Sequence, residues 1–168
     1  MGLDDAIRGA RQQADFWENR IRREAERKTR ERQEADSLLA EALERLQPYG
    51  DEVFFRVRRS PVGRYRGPGG RRFSVVSDQR CWRLMNTSGV HPETNDWYDS
   101  PVLLLEDGTA VRVWLDIETG PGQYVSSMEP TPLGDDYFPM FTFHPEGGWV
   151  GELKRTLAEA VVKYERGG

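Results

Sequence analysis

Seven arginines lie between Arg56 and Arg72, namely Arg56, Arg58, Arg59, Arg64, Arg66, Arg71 and Arg72, around Tyr65 and several glycines. A guanidinium fork grips a phosphate through two parallel hydrogen bonds, a tyrosine can stack on a base, and glycines let backbone amides approach. Arg56, Arg58, Arg64, Tyr65, Arg66, Arg71 and Arg72 are therefore a candidate set for nucleic acid or a nucleotide. Glycines 67, 69 and 70 do not form a phosphate-binding loop, because no Gly-Lys-Ser/Thr follows and no helix is expected to begin there.

Other chemistry-bearing residues are scattered. Asp116 and Glu118 stand two apart after an expected strand, and Asp96, Asp99, Asp135 and Asp136 occupy loop-like sequence. Such acids can hold a divalent cation or serve as acid and base, so a metal-dependent enzyme built on them is a further reading, although no lysine or histidine stands in register. The segment holding Glu93, Asn95 and Trp97 lacks the alternating oxygen ligands of a calcium loop. His91 and His144, each followed by proline, are expected in turns and define no zinc site. Cys81, the single cysteine, adjoins Trp82 in an expected strand and reads as a small buried hydrophobe. No activated-nucleophile motif is present, no cofactor is expected, and a non-enzymatic role is favoured. Trp97 and Tyr98, an aromatic pair among acids, are candidates for a partner-binding patch.

Charge is segregated along the 168 residues. Residues 50–86 carry nine basic and three acidic side chains, a net of +6, whereas residues 87–148 carry one and eleven, a net of −10. These segments either pair internally or leave an open basic surface on a chain of net charge −4. Arginine outnumbers lysine 21 to 3, a bias expected of a GC-rich bacterial or phage genome. The start, Met1-Gly2-Leu3-Asp4-Asp5, has neither a basic nor an apolar export signature, and no apolar run approaches 18 residues. With one cysteine, a cytoplasmic protein with no membrane partner is expected.

The elements that must carry these residues begin with one long charged helix, residues 3 to 47. A heptad frame with Ile7 at position a gives Ile7, Ala14, Ile21, Lys28, Ala35 and Ala42. Its d positions are Leu3, Ala10, Trp17, Glu24, Glu31, Leu38 and Arg45. Glu24, Lys28 and Glu31 are consecutive and would bury charge in a dry seam, so only a partial coiled coil is possible. Leu3, Ile7, Ala10, Ala14, Trp17 and Ile21 form a narrow stripe suited to a helical partner or a second copy. Ala35, Leu38, Leu39, Ala42, Leu43 and Leu46 form a broader face suited to a globular core. The middle is a solvated rod in which Glu18–Arg22, Glu24–Lys28 and Glu26–Arg30 can pair, each worth about 0.2–0.5 kcal/mol. Pro48 and Gly50 end it. At about 1.5 Å per residue, 45 residues reach roughly 68 Å, beyond the radius of a domain this size.

Residues 49–168 are expected to form one α+β domain. Val53, Phe55 and Val57 alternate with Phe54, Arg56 and Arg58, the pattern of a strand with one basic face. Ser60–Gly70 is a loop, Phe73–Ser77 and Arg80–Met85 are two strands around Asp78-Gln79, and Asn86–Ser100 is a polar loop. Residues 102–115 form a hairpin whose Asp107-Gly108 suits a two-residue type I′ turn. A strand over Gln123–Met128, another over Tyr137–Phe143, and a final helix striped by Trp149, Leu153, Leu157, Ala160, Val161 and Tyr164 complete it. The fold class is therefore α+β, a mainly antiparallel sheet of five to seven strands with a C-terminal helix packed on it.

Overall fold

The computed structural model describes residues 2–50, 52–90, 94–133 and 148–167, with Tyr98 described by its backbone alone. His91, Glu93, Asp135, Asp136, His144 and the expected strand Tyr137–Phe143 lie outside the described residues. The chain divides into two compact units, Met1–Asp36 and Ser37–Gly168, with the boundary inside the first helix.

That helix, α1, runs unbroken from Leu3 to Leu46, with Asp4 and Asp5 placed in its first turn where the helix dipole favours negative charge. In the first unit every residue from Gly2 to Glu34 is exposed except half-buried Glu31, so local pairs rather than burial support the helix. The pairs are Arg22–Glu26 at 4.0 Å, Lys28–Glu24 at 3.9 Å, Arg27–Glu31 at 3.1 Å and Arg32–Asp36 at 3.3 Å. The expected Glu24–Lys28 pair forms. Arg22 turns instead to Glu26 and to Asn19, which accepts a hydrogen bond from it at 2.8 Å.

In the second unit the last turns of α1 bury Leu39, Ala42 and Leu46 and half-bury Leu38 and Leu43. Gly50, at φ 78°, then takes the left-handed conformation that releases the chain into the sheet. Among the described residues seven strands follow: β1 (Val53–Arg59), β2 (Tyr65–Arg66), β3 (Arg72–Val90), β4 (Trp97–Leu105), β5 (Ala110–Arg112), β6 (Gln123–Ser126) and β7 (Thr131–Pro132). Their order is β6-β1-β3-β4-β5-β7, with β2 on β3, and only β1 and β6 run parallel. The second helix, α2 (Gly148–Glu165), buries Val150, Leu153, Leu157, Ala160, Val161 and Tyr164 at three- and four-residue spacings. It lies on β3, where the Thr156 hydroxyl approaches the Met85 sulfur at 3.9 Å. The architecture is α+β.

Strand β3 departs from expectation. Asp78 and Gln79 do not turn the chain but continue the ladder opposite Phe55 and Phe54, so the two expected strands are one of 19 residues. Register shifts opposite Arg56/Val57 and between Arg83 and Met85 let the strand bend without breaking. Its first half pairs with β1 and β2 and its second half with β4. One apolar cluster draws Phe54 and Tyr124 from the first half and Leu103, Leu105 and Val111 from the other, with Cys81 at the join. A second cluster of Val57, Phe73, Ile117 and Val125 lies on the opposite face of the first half.

The expected polar loop Asn86–Ser100 is also largely sheet, pairing from Asn86↔Pro101 to Val90↔Trp97. Its polar residues satisfy one another across the hairpin: Ser88 donates to Asp99 at 2.7 Å, and Thr87 and Ser100 are both buried. The Asp107-Gly108 turn differs as well. A type I′ turn needs positive φ at both central residues, yet here Gly108 alone has it (86°). Gly108 N–H donates to Leu105 C=O at 2.9 Å and Leu105 N–H to Thr109 C=O at 2.8 Å, a three-residue loop closed by a glycine bulge. The Asp107 carboxylate accepts from the Thr109 N–H at 2.9 Å and hydroxyl at 2.6 Å, which holds that geometry.

Candidate functional site

The arginine-rich segment folds into a corner formed by β1, β2 and the start of β3. Gly63 is buried against Phe73, with space for no side chain, since a Cβ there would stand 2.3 Å from the Phe73 backbone. A Cβ on Gly67 would meet the Phe73 ring at 2.6 Å. These two glycines therefore fit the loop onto Phe73, so close packing, and not only the approach of backbone amides to a ligand, requires them. Tyr65 is half-buried and tilted against Phe55, ring centroids 5.9 Å apart, so it belongs to the second core cluster.

Register sorts the arginines. Arg58 stands opposite Ser74, Arg72 is two residues from Ser74 on β3, and Arg66 stands directly opposite Arg72. Since alternate residues of a strand share a face and opposed residues share it too, Arg56, Arg58, Arg72 and Arg66 lie on one face. Arg59, opposite Phe73, is on the other with Tyr65. Arg64 and Arg71 are exposed in the connecting loop. Among the described residues, the one ion pair made by this segment joins Arg56 to Glu129, both well exposed. Arg58, Arg66 and Arg72 meet no described carboxylate.

The stripe on α1 stands open. Leu3 is 77% exposed, Ile7 41%, Trp17 48% and Ile21 67%, and Ala10 and Ala14 between them are exposed too. Phe16, off the heptad seam and so not singled out from sequence, is 62% exposed and meets the Trp17 ring edge-on at 5.9 Å. The Arg20 guanidinium lies over the same ring, 5.5 Å from its centroid. Trp97 is 76% exposed at the start of β4, opposite exposed Val90, rather than in a loop. The Tyr98 side chain lies outside the description.

Among the described residues the candidate acids form no cluster of three. Asp116 and Glu118 border an open groove of about 780 Å³ with Asp99, Arg66 and Pro68. Asp116, however, is engaged by Ser127, accepting from its N–H at 3.0 Å and from its hydroxyl. Asp99 is held by Ser88. Among the described residues no three acids, histidines or cysteines come close enough to hold a metal ion.

A carboxylate that sequence reading passed over is more deeply tied. Glu52, between α1 and β1, accepts from the Tyr124 hydroxyl at 3.0 Å, from the Tyr164 hydroxyl, and from the Arg83 N–H at 3.1 Å. Burial and the Glu52 charge push both tyrosines well above the ordinary phenol range. Cys81 donates its N–H to the Glu52 carbonyl at 3.0 Å, and burial, aided by the Glu52 charge, pushes its thiol up to about 12. With its oxygens occupied by protonated donors, Glu52 ties β3, β6 and α2 together, and Cys81 is an inert core residue. Arg83, Tyr124 and Tyr164 stand 31, 72 and 112 residues away, separations that leave no local signal in sequence.

No helix among the described residues is long and apolar enough to cross a membrane. Compared with known proteins, the chain matches no family model, no curated protein and no solved structure.

Proposed function

We propose that the chain is a non-enzymatic interaction protein that self-associates, or docks a partner helix, through the Leu3, Ile7, Ala10, Ala14, Trp17 and Ile21 stripe. The observation that carries this reading is the exposure of four large apolar side chains on one helical stripe. Single exposed apolar residues are ordinary, whereas a contiguous stripe marks a surface meant to be covered. Because the four are 41–77% exposed, covering them in each of two chains gives roughly 7–14 kcal/mol at about 1.5–3 kcal/mol per fully exposed side chain. That gross gain is of the same order as an association cost of about 4–15 kcal/mol. Glu24, Lys28 and Glu31 confine the seam to the N-terminal turns, where no charge interrupts it.

Light scattering coupled to size exclusion on the full chain, over a concentration series, tests this reading against an Ile7→Glu, Ile21→Glu double variant. The full chain should give a mass above 19.3 kDa that falls on dilution, and the variant a monomer with unchanged helix content by circular dichroism. A full chain that stays monomeric at every concentration and binds no helical partner overturns the reading.

A further inference from the structure

We infer that the arginine face formed by β1, β2 and β3 binds the phosphate backbone of a nucleic acid, using Arg58, Arg66 and Arg72, with Arg56 in reserve under Glu129. The face continues beyond the apolar cluster that buries Phe54, and along it three strands place guanidinium groups within one or two residue positions of one another. Neighbouring strands are about 4.8 Å apart and alternate residues of one strand about 6.7 Å. Forks at such intervals can each take a separate phosphate of one backbone.

Two features favour an anionic ligand over solvation. Arg66 and Arg72 oppose each other directly, an arrangement in which like charges destabilise a strand pair unless a counter-anion lies between them. Among the described residues neither makes an ion pair: Asp99, Asp116 and Glu118 share the open groove that Arg66 borders without pairing with it, and the ion pair on this face is Arg56 with Glu129. Tyr65 is engaged by Phe55 and the core, so the face offers charge without a stacking platform. Recognition is therefore of the backbone, with no sequence preference.

The experiment is fluorescence anisotropy of the full chain with a labelled 20-base-pair duplex DNA. Three phosphate contacts imply a slope of about −2.7 in log K against log salt, so affinity should fall about 40-fold from 50 to 200 mM NaCl. An Arg58→Ser, Arg66→Ser, Arg72→Ser triple variant should lose at least tenfold at 50 mM. Glu129→Gln should bind several-fold more tightly than the parent because it frees Arg56, a gain that misfolding cannot imitate. Absent binding at 50 mM NaCl, affinity indifferent to the triple substitution, or no gain in Glu129→Gln each overturns the inference. Displacement of the duplex by stoichiometric ATP also overturns it, since the site would then be a nucleotide pocket.

Discussion

The Arg80 guanidinium lies 5.1 Å above the Trp82 ring, and the polar ends of both side chains converge on the carbonyls that follow α1. Arg80 donates to Gln47 C=O at 2.9 Å, Tyr49 C=O at 3.2 Å and Gly50 C=O at 2.7 Å, and Trp82 Nε1–H donates to Tyr49 C=O at 2.7 Å. A cation beside the carbonyl end of a helix is electrostatically favourable, and here it also satisfies acceptors that the helix itself leaves open. Arg80→Ala should cost about 2–3 kcal/mol by urea denaturation, since charged hydrogen bonds are worth about 1.5–3 kcal/mol. Trp82→Phe, which keeps the apolar packing and loses one N–H, should cost about 1 kcal/mol. The reverse ranking would show that the ring, not the guanidinium, holds this junction.

Alkali should unfold the second unit earlier than its carboxylates and arginines would suggest. Cys81, Tyr124 and Tyr164 all hold their protons more tightly when folded than at their ordinary values of 9.0, 10.0 and 10.0. Groups raised in this way contribute stability that is fully present below the ordinary value and is lost as pH climbs through the folded one. Urea midpoints should therefore be level near neutrality and decline from about pH 9 upward. The decline should be shallower in Cys81→Ala and in the Tyr124→Phe, Tyr164→Phe pair. Identical alkaline slopes in parent and variants would contradict the assignment.

Two glycines of the arginine loop should respond very differently to alanine. At Gly63 the new methyl would sit 2.3 Å from the Phe73 backbone, which cannot yield without moving β3, so unfolding or a loss above about 3 kcal/mol is expected. Gly69 faces open space, and its φ of 68° is its sole constraint, worth about 1–2 kcal/mol for a residue with a side chain. Thermal melts of Gly63→Ala and Gly69→Ala made side by side would expose any error in this ordering.

The hairpin turn offers a finer measurement. Replacing Asp107 by alanine removes the acceptor of two Thr109 bonds and should cost about 1 kcal/mol. Replacing Gly108 by alanine should cost more than Gly→Ala at a neutral φ, because its φ of 86° is that of a bulge glycine. Insertion of an Asn-Gly two-residue loop, which would suit a type I′ turn, should destabilise the hairpin rather than improve it.

Periodicity revealed what is local and missed what is not. The bounds of α1, the stripe of α2 from Leu153 to Tyr164 and the alternation of β1 followed from spacings of three, four and two residues, because each is decided within a few turns of chain. At the start of α2, however, Val150 rather than Trp149 is the buried residue. The split at Asp78-Gln79 was misread because a polar dipeptide resembles a turn, whereas both residues are held by β1, a strand about 25 residues earlier. Asn86–Ser100 was misread for a similar reason: its polar side chains satisfy one another across a hairpin, so polarity there did not mean solvent. Of the candidate residues, Arg56, Arg58, Arg66 and Arg72 could be grouped only once the β2–β3 register was known. Tyr65 could be moved from ligand to core only through its contact with Phe55. Glu52 had no signature at all, since its partners are scattered over three elements.

Strand β3 carries a consequence for how the second unit assembles. Among the described residues it is the one strand hydrogen-bonded to members of both sheet halves, with its residues 72–80 closing one and its residues 81–90 the other. Neither half possesses a full ladder without it, and Cys81 at the join sits inside the cluster that both halves fill. The halves are thus not separable folding modules. Nucleation on either side lowers the entropic cost of the other, and the unit should melt in a single cooperative transition.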